Sequence, residues 1–314
     1  MQRGDTIQIY EELIVLQQPV ILALGMFDGV HAGHLALLDV QRRQGEALHA
    51  SRVVYTFQQH PLTVLAPEAV PLQLSTLDEK LALLEQAGVD VVFAVPFTQA
   101  LAHCTADVFL QSLTSHMPIA HMVLGHDARF GAGGQGDAVF VRTFGTTSGT
   151  NLPVTTLPPV QHDNQPVSSS RIRQALQAGE CQAAAAMLTR EYQVSGTVVR
   201  GQQRGRTIGF PTANVESPSE KQLPGDGVYA AWVDMLGQRY AAAVSVGSNP
   251  TVLGAQRTIE CFILDFDGDL YERTITVCFV RRLRGMVRFA SLDVLQAQIT
   301  RDVADTQVLL GSFR

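Results

Sequence analysis

The sequence predicts two domains of different class: a parallel α/β domain first, then an antiparallel β-barrel with a terminal helix. Three observations carry the prediction. The chain has 314 residues, a length suited to about two domains. Up to residue 189, short apolar runs alternate with helical patterns, which implies parallel strands with helices on both faces. From Arg190 onward, strand patterns follow one another without intervening helices, as in an antiparallel barrel.

In residues 1–189, the segments 20–25, 53–57, 90–95, 121–125 and 153–157 read as strands. Between them Leu77, Leu81 and Leu84 recur at helical spacing. A further helix begins at Ser168, with Ile172 and Leu176 four apart and Gly179 where a C-terminal cap belongs. In residues 190–314, the segments 194–199, 227–235, 239–246, 258–264 and 271–280 read as strands. Asp267-Gly268 between the last two signals a tight hairpin turn. Leu292, Leu295, Ile299 and Val303 form the stripe of a closing helix.

Composition narrows the partners. Hydrophobic residues make up 46% and charged residues 17% of the chain, enough for a sizeable core in each half. The net charge of -6 argues against a nucleic-acid partner, because phosphate backbones favour basic surfaces. The most apolar early run, residues 20–27, is too short to cross a bilayer. Four cysteines without a CxxC pair suggest free thiols in a cytoplasmic protein. The oligomeric state is left open.

The strongest local signal is Gly25-Met26-Phe27-Asp28-Gly29-Val30-His31-Ala32-Gly33-His34. It follows an apolar strand and opens a helix, where backbone N–H groups and the helix dipole receive phosphate. His31 and His34 are three apart, so both can point at one bound group and donate to its oxygens. The segment Ser168-Ser169-Ser170-Arg171-Ile172-Arg173 offers hydroxyls at a helix start and an arginine one turn in, a set that can hold pyrophosphate. Taken alone it is also an ordinary N-cap.

A second glycine-containing run, Gly201 to Asn214, ends in Gly209-Phe210-Pro211-Thr212-Ala213-Asn214. Thr212 and Asn214 are two apart and present oxygens on one side of an extended segment, donors of the kind Mg²⁺ takes beside ATP phosphates. Glu260 shares its strand face with Phe262 and Leu264. An acid there is costly unless it has a partner or a task.

These motifs, in this order, resemble the bacterial bifunctional riboflavin kinase/FAD synthetase family. The first segment has the HxGH nucleotidyltransferase form. Phe57-Gln58-Gln59-His60-Pro61, Gly125-His126-Asp127-Ala128-Arg129-Phe130-Gly131 and the Ser168–Arg173 segment follow it in family order. The resemblance implies a Rossmann-like nucleotidyltransferase domain and a riboflavin kinase barrel. The expected activities are phosphorylation of riboflavin to FMN and adenylylation of FMN to FAD, with ATP as co-substrate and Mg²⁺ as cofactor. In the first site it assigns His31 and His34 to the transition state. Gly25, Phe27, Asp28, Gly33, Ser169, Ser170 and Arg173 would surround ATP, with Phe57, Asp127 and Phe130 around the flavin. In the second site Glu260 would be the general base. Gly201, Gly205 and Arg206 would hold ATP phosphates, Thr212 and Asn214 the metal, and Arg284 and Phe289 the flavin.

The chain departs from the family pattern in places. Gln58 and Gln59 stand where an acid and a proline are usual, Ala128 replaces an aromatic residue, Gly134 a basic one, and Glu272 a glycine. Two other readings therefore stay open: an enzyme with one active head, or a flavin-binding or delivery protein without turnover. The complete reactive set weighs against the latter.

Overall fold

The computed structural model describes residues 6–149, 152–201, 209–251 and 254–311. They cluster into two compact units, Met1–Ser168 and Ser169–Arg314.

The first unit carries β1 (Gln8–Tyr10), β2 (Val20–Leu24), β3 (Ser51–Phe57), β4 (Val91–Val95), β5 (Ile119–Gly125) and β6 (Val154–Leu157). All neighbours are parallel, in the order β1-β4-β3-β2-β5-β6. Every residue of β2 and β4 is buried, as expected of strands covered on both faces. The helices are α1 (Ala32–Leu48), α2 (Leu62–Leu65), α3 (Leu77–Gln86), α4 (Gln99–Ala102), α5 (Ala106–His116) and α6 (Ala138–Ser148). One core layer packs Leu37, Leu38 and Leu84 of α1 and α3 on the sheet. The opposite layer packs Phe109, Leu110, Leu113 and Val141 of α5 and α6. A capping box starts α3: Thr76 Oγ1 accepts from Glu79 N at 3.2 Å, and Glu79 Oε2 accepts from Thr76 N at 2.9 Å. A small hairpin, β7 (Gln161–His162) and β8 (Gln165–Pro166), ends the unit.

The strand order reverses between β2 and β5. In open α/β sheets the crevice beyond the strand C-termini at that reversal is where ligands bind. The loops leaving β2 and β5 are the ones that carry Gly25–His34 and Gly125–Gly131.

The second unit contains α7 (Ser169–Ala178), α8 (Cys181–Leu188), β9 (Tyr192–Val199), β10 (Ala213–Glu216), β11 (Gly227–Met235), β12 (Gln238–Thr251), β13 (Gly254–Ile263), β14 (Thr274–Arg284) and α9 (Leu292–Gly311). Its strands close an antiparallel barrel in the order β10-β13-β12-β11-β14-β9. Val198, Val215, Val246, Ile259 and Cys261 are buried within it. The sequence put the division at residue 190, but α7 and α8 cluster with the barrel. Arg282 of β14 donates to Ala178 O at 3.3 Å, and Gly225 N to Leu176 O at 2.7 Å.

One expectation is corrected. Asp267-Gly268 is not a hairpin turn, because β14 pairs with β9 and β11 to close the barrel and never with β13. The positive φ angles of that connection fall on Asp265 and Glu272 instead. In α9 Leu295, Ile299 and Val303 of the expected stripe are half-buried, Leu292 is 66% exposed, and the buried residues are Asp302, Thr306 and Leu310. Asp302 is buried there because it has an arginine partner, described below.

Candidate active sites

β2 ends by handing the chain to Gly25, whose N–H donates to Tyr55 O at 3.2 Å. The turn that follows takes φ 51 at Phe27, 78 at Gly29 and 37 at Val30, a left-handed run that costs free energy wherever a Cβ is present. What holds it is a set of polar contacts beneath. Asp28 Oδ1 accepts from Leu74 N at 2.9 Å, Ser75 N at 3.1 Å and Ser75 Oγ at 3.4 Å. Ser75 Oγ in turn accepts from Gly29 N at 2.9 Å. Lys80, 5% exposed, donates to Phe57 O at 2.6 Å and reaches Met26 O and Thr56 Oγ1 at 3.5 Å. Burial pulls the Lys80 ammonium down to about 8, with Asp28 opposing the shift.

The turn delivers two imidazoles. His31 is the N-cap of α1, and its N–H donates to His34 Nδ1 at 3.3 Å. An acceptor Nδ1 leaves the proton of neutral His34 on Nε2, a donor for an incoming oxygen. The two rings stack with centroids 3.7 Å apart, and Phe27, fully buried, backs His34 at 5.0 Å. Gly33 is small because a Cβ there would press on the His31 ring at 3.1 Å.

Beside this turn runs a file of aromatic rings. Phe97 meets Phe57 edge-on at 5.0 Å, Phe57 meets Tyr55 at 5.8 Å, and Tyr55 meets Phe109 at 5.4 Å. Phe109 and Phe130 continue it at 5.6 Å. Phe130 is fixed by two backbone hydrogen bonds with Gly136. Asp127 lies in the same loop with an exposed side chain.

In the barrel, strand register assembles the second cluster. Asn214 of β10 pairs with Glu260 of β13, and Glu260 pairs with Ser245 of β12, so the three side chains form a row on one face. Thr212 lies two before Asn214, just ahead of β10. The inward neighbour Cys261 is fully buried on the opposite face. A side chain at Gly201 would collide with the Asn214 amide. On the Cys261 side of these strands lies a cavity of about 290 Å³ lined by Val198, Thr212, Cys261, Ile263, Leu270 and Tyr271. The Arg200 guanidinium sits 5.3 Å over the Tyr271 ring.

These two clusters match two known domain families. Residues 14–171 match the FAD synthetase family, and residues 188–310 match the riboflavin kinase family. The bifunctional riboflavin kinase/FMN adenylyltransferase of Escherichia coli (strain K12) is 38% identical over 298 residues, covering 94% of each chain. The chain belongs to the bifunctional riboflavin kinase/FMN adenylyltransferase family. The Bacillus subtilis (strain 168) member is 32% identical over 91% of each chain. The crystal structure of a macrolide-efflux protein from Streptococcus pneumoniae has a TM-score of 0.89 at 31% identity, covering 96% of this chain and 99% of that one. The riboflavin kinase and FMN adenylyltransferase activities belong to this family, with ATP, riboflavin, FMN and FAD as substrates and products. Among the described residues no helix is long and apolar enough to cross a membrane.

Several family-assigned residues have partners within the protein. Asp28 is only 8% exposed and accepts from backbone amides, while Phe27 is core. Arg284 binds Asp302 with two nitrogens, at 2.9 and 2.7 Å, and stacks at 5.6 Å over Phe289. Gln298 adds a donor to Asp302 at 2.9 Å. Ser169 and Ser170 open α7, and Arg173 lies one turn further on. Gly205 and Arg206 lie outside the described residues. Sequence reasoning missed Ser75, Lys80 and Ser245. Lys80 had a signal: it sits three after Leu77 and four before Leu84, a lysine inside an apolar stripe.

Proposed function

We propose that both heads turn over, each with the residues that the family resemblance assigns to it. In the first, an FMN phosphate oxygen attacks the α-phosphorus of ATP and pyrophosphate leaves. His31 and His34 donate to the phosphate oxygens as charge develops, with the backbone of residues 25–33 and the α1 N-terminus as further donors. Ser169, Ser170 and Arg173 hold the leaving pyrophosphate. Phe57 and Phe130 set the flavin side, and Asp127 borders it. In the second, Glu260 takes the proton of the ribityl 5′-hydroxyl as that oxygen attacks the γ-phosphorus and ADP leaves. Arg284 and Phe289 stand at the flavin side, and Gly201 with Gly205 and Arg206 at the phosphates.

Thr212 and Asn214 would hold Mg²⁺. Their neutral oxygens suit a hard cation that takes most of its shell from water and phosphates. No group of three His, Cys, Asp or Glu able to hold a metal exists among the described residues. When bound, the ion neutralises phosphate charge. The cytoplasm is the proposed compartment, supported by four free cysteines. For function we divide the chain into residues 1–189 and 190–314, and the FAD synthetase match, which includes Ser169 and Ser170, supports keeping those serines with the first head.

The observation that carries the reading is the register that puts Glu260 directly across from Asn214. The test is a chromatogram of riboflavin with ATP and Mg²⁺. Wild type should yield FMN and then FAD. Glu260→Gln should abolish FMN formation and spare FAD formation from supplied FMN, and His31→Ala should do the reverse. Joint loss of both activities in either variant would refute the two-site assignment.

A further inference from the structure

Gln59 stands at a position where the family pattern has proline, in the loop leaving β3. Its side chain is not idle. Gln59 Nε2 donates to Phe97 O at 2.9 Å, and Phe97 N donates to Gln59 Oε1 at 3.3 Å. One primary amide thus takes both backbone hydrogen-bonding groups of a residue 38 positions away, as a neighbouring strand would. The β3–β4 ladder ends with Phe57 opposite Val95, followed by Gln58 N donating to Val95 O at 3.0 Å. The Gln59 amide extends that zipper to Phe97. Across it the Phe57 and Phe97 rings meet edge-on, 5.0 Å apart at 80°.

We infer that Gln59 is a positioning residue for adenylyl transfer, holding the Phe57–Phe97 wall in shape by a side-chain clamp at a position where the family pattern has proline. The inference rests on the proposed reading of the first head, in which Phe57 borders the flavin. A proline limits the backbone by fixing φ, whereas the amide limits it by tying the loop to its neighbour. Both devices lower the cost of ordering the loop when a ligand arrives. The substitution that looks like decay in the sequence is, on this geometry, a replacement of one restraint by another. Gln59 touches no reacting atom in this account, so its effect passes through Phe57 and Phe97.

The test compares wild type with Gln59→Leu, which keeps the bulk and removes both hydrogen bonds, and with Gln59→Glu, which keeps the acceptor for Phe97 N but turns a carboxylate toward Phe97 O. Two neutral hydrogen bonds of ordinary net worth amount to about a tenfold effect. The KM for FMN in FAD formation should rise about tenfold in both variants. The KM for ATP in the same reaction and the rate of FMN formation from riboflavin should stay within about twofold. Hydrogen exchange at the Phe97 amide should accelerate in Gln59→Leu, with Val95 unchanged. An unchanged KM for FMN, or an equal rise in both KM values, would overturn the inference. Should wild type itself form no FAD from FMN, the reading of the head fails first, and that result is distinct from an active wild type with indifferent variants.

Discussion

Replacing Lys80 by methionine should change how the stability of this protein depends on pH. The ammonium is 5% exposed and contacts Phe57 O at 2.6 Å. Burial brings its pKa from 10.5 to about 8. Below about pH 8 the lysine is charged in both folded and unfolded chains, and the full cost of burying it, about 3 kcal/mol, weighs on the fold. Between about pH 8 and 10.5 the folded chain sheds the proton while the unfolded chain keeps it. The unfolded state then binds more protons, so stability rises with pH. From about pH 7 to about pH 9.5 the gain amounts to about 2 kcal/mol. Methionine cannot titrate and has no such gain. At pH 7 the variant should be near wild type, because relief of the buried charge offsets the lost donor to Phe57 O, itself worth about 1–3 kcal/mol. At the higher pH it should fall behind by about 2 kcal/mol. Urea titrations of both proteins at both pH values supply the double difference, in which ionisations common to the two proteins cancel. A difference that does not change with pH would show that Lys80 titrates as an ordinary exposed lysine and that its burial costs nothing.

Two further substitutions test other parts of the molecule. Gly201→Ala places a Cβ against the Asn214 amide, and should raise the KM for ATP in the kinase reaction about tenfold while FAD formation from FMN holds; equal rates in both assays would contradict the close approach. Glu272 bears a φ of 63 while its N–H donates to Val198 O at 2.9 Å. Glu272→Gly keeps that bond and should stabilise by about 1 kcal/mol, visible as a rise of a few degrees in calorimetric Tm; a lower Tm would refute the strain.

Most strands were legible because their apolar runs are unbroken or alternate cleanly, as in Val20–Leu24 and Gly227–Met235. The short strands Gln8–Tyr10 and Ala213–Glu216 were not, since three or four residues carry no period of their own and owe their state to a neighbour's ladder. Asp267-Gly268 misled because a turn signal is local, while barrel closure decides which strands pair. The reactive residues stood out through spacing: His31 with His34, Thr212 with Asn214. What supports them did not. Ser75, Lys80 and Gln59 act through contacts 23 to 47 positions away in the chain, and only folding brings those atoms together. Arg284 shows the converse limit. Family position suggested a flavin contact and gave no sign that its guanidinium pairs with Asp302 from α9, a partner 18 positions on.

The two clusters also differ in the chemistry they need, and the difference explains their make-up. A phosphate monoester such as FMN loses its second proton near pH 6, so at neutral pH its oxygen is ready to attack. A base in the first site would have nothing to remove, and a carboxylate aimed at the α-phosphorus would repel the attacking phosphate. Asp28, the one acid in the Gly25–His34 segment, is turned into the scaffold and accepts from Leu74, Ser75 and the Ser75 hydroxyl. Imidazole donors take the front instead. A ribityl hydroxyl has the opposite need, because it must lose its proton as it attacks. The barrel accordingly carries a carboxylate, Glu260, between Asn214 and Ser245 in the strand register. On the proposed reading, removing that carboxylate takes nothing that the first reaction uses. The separation of the two activities expected on substitution of Glu260 would then follow from which nucleophile arrives already ionised.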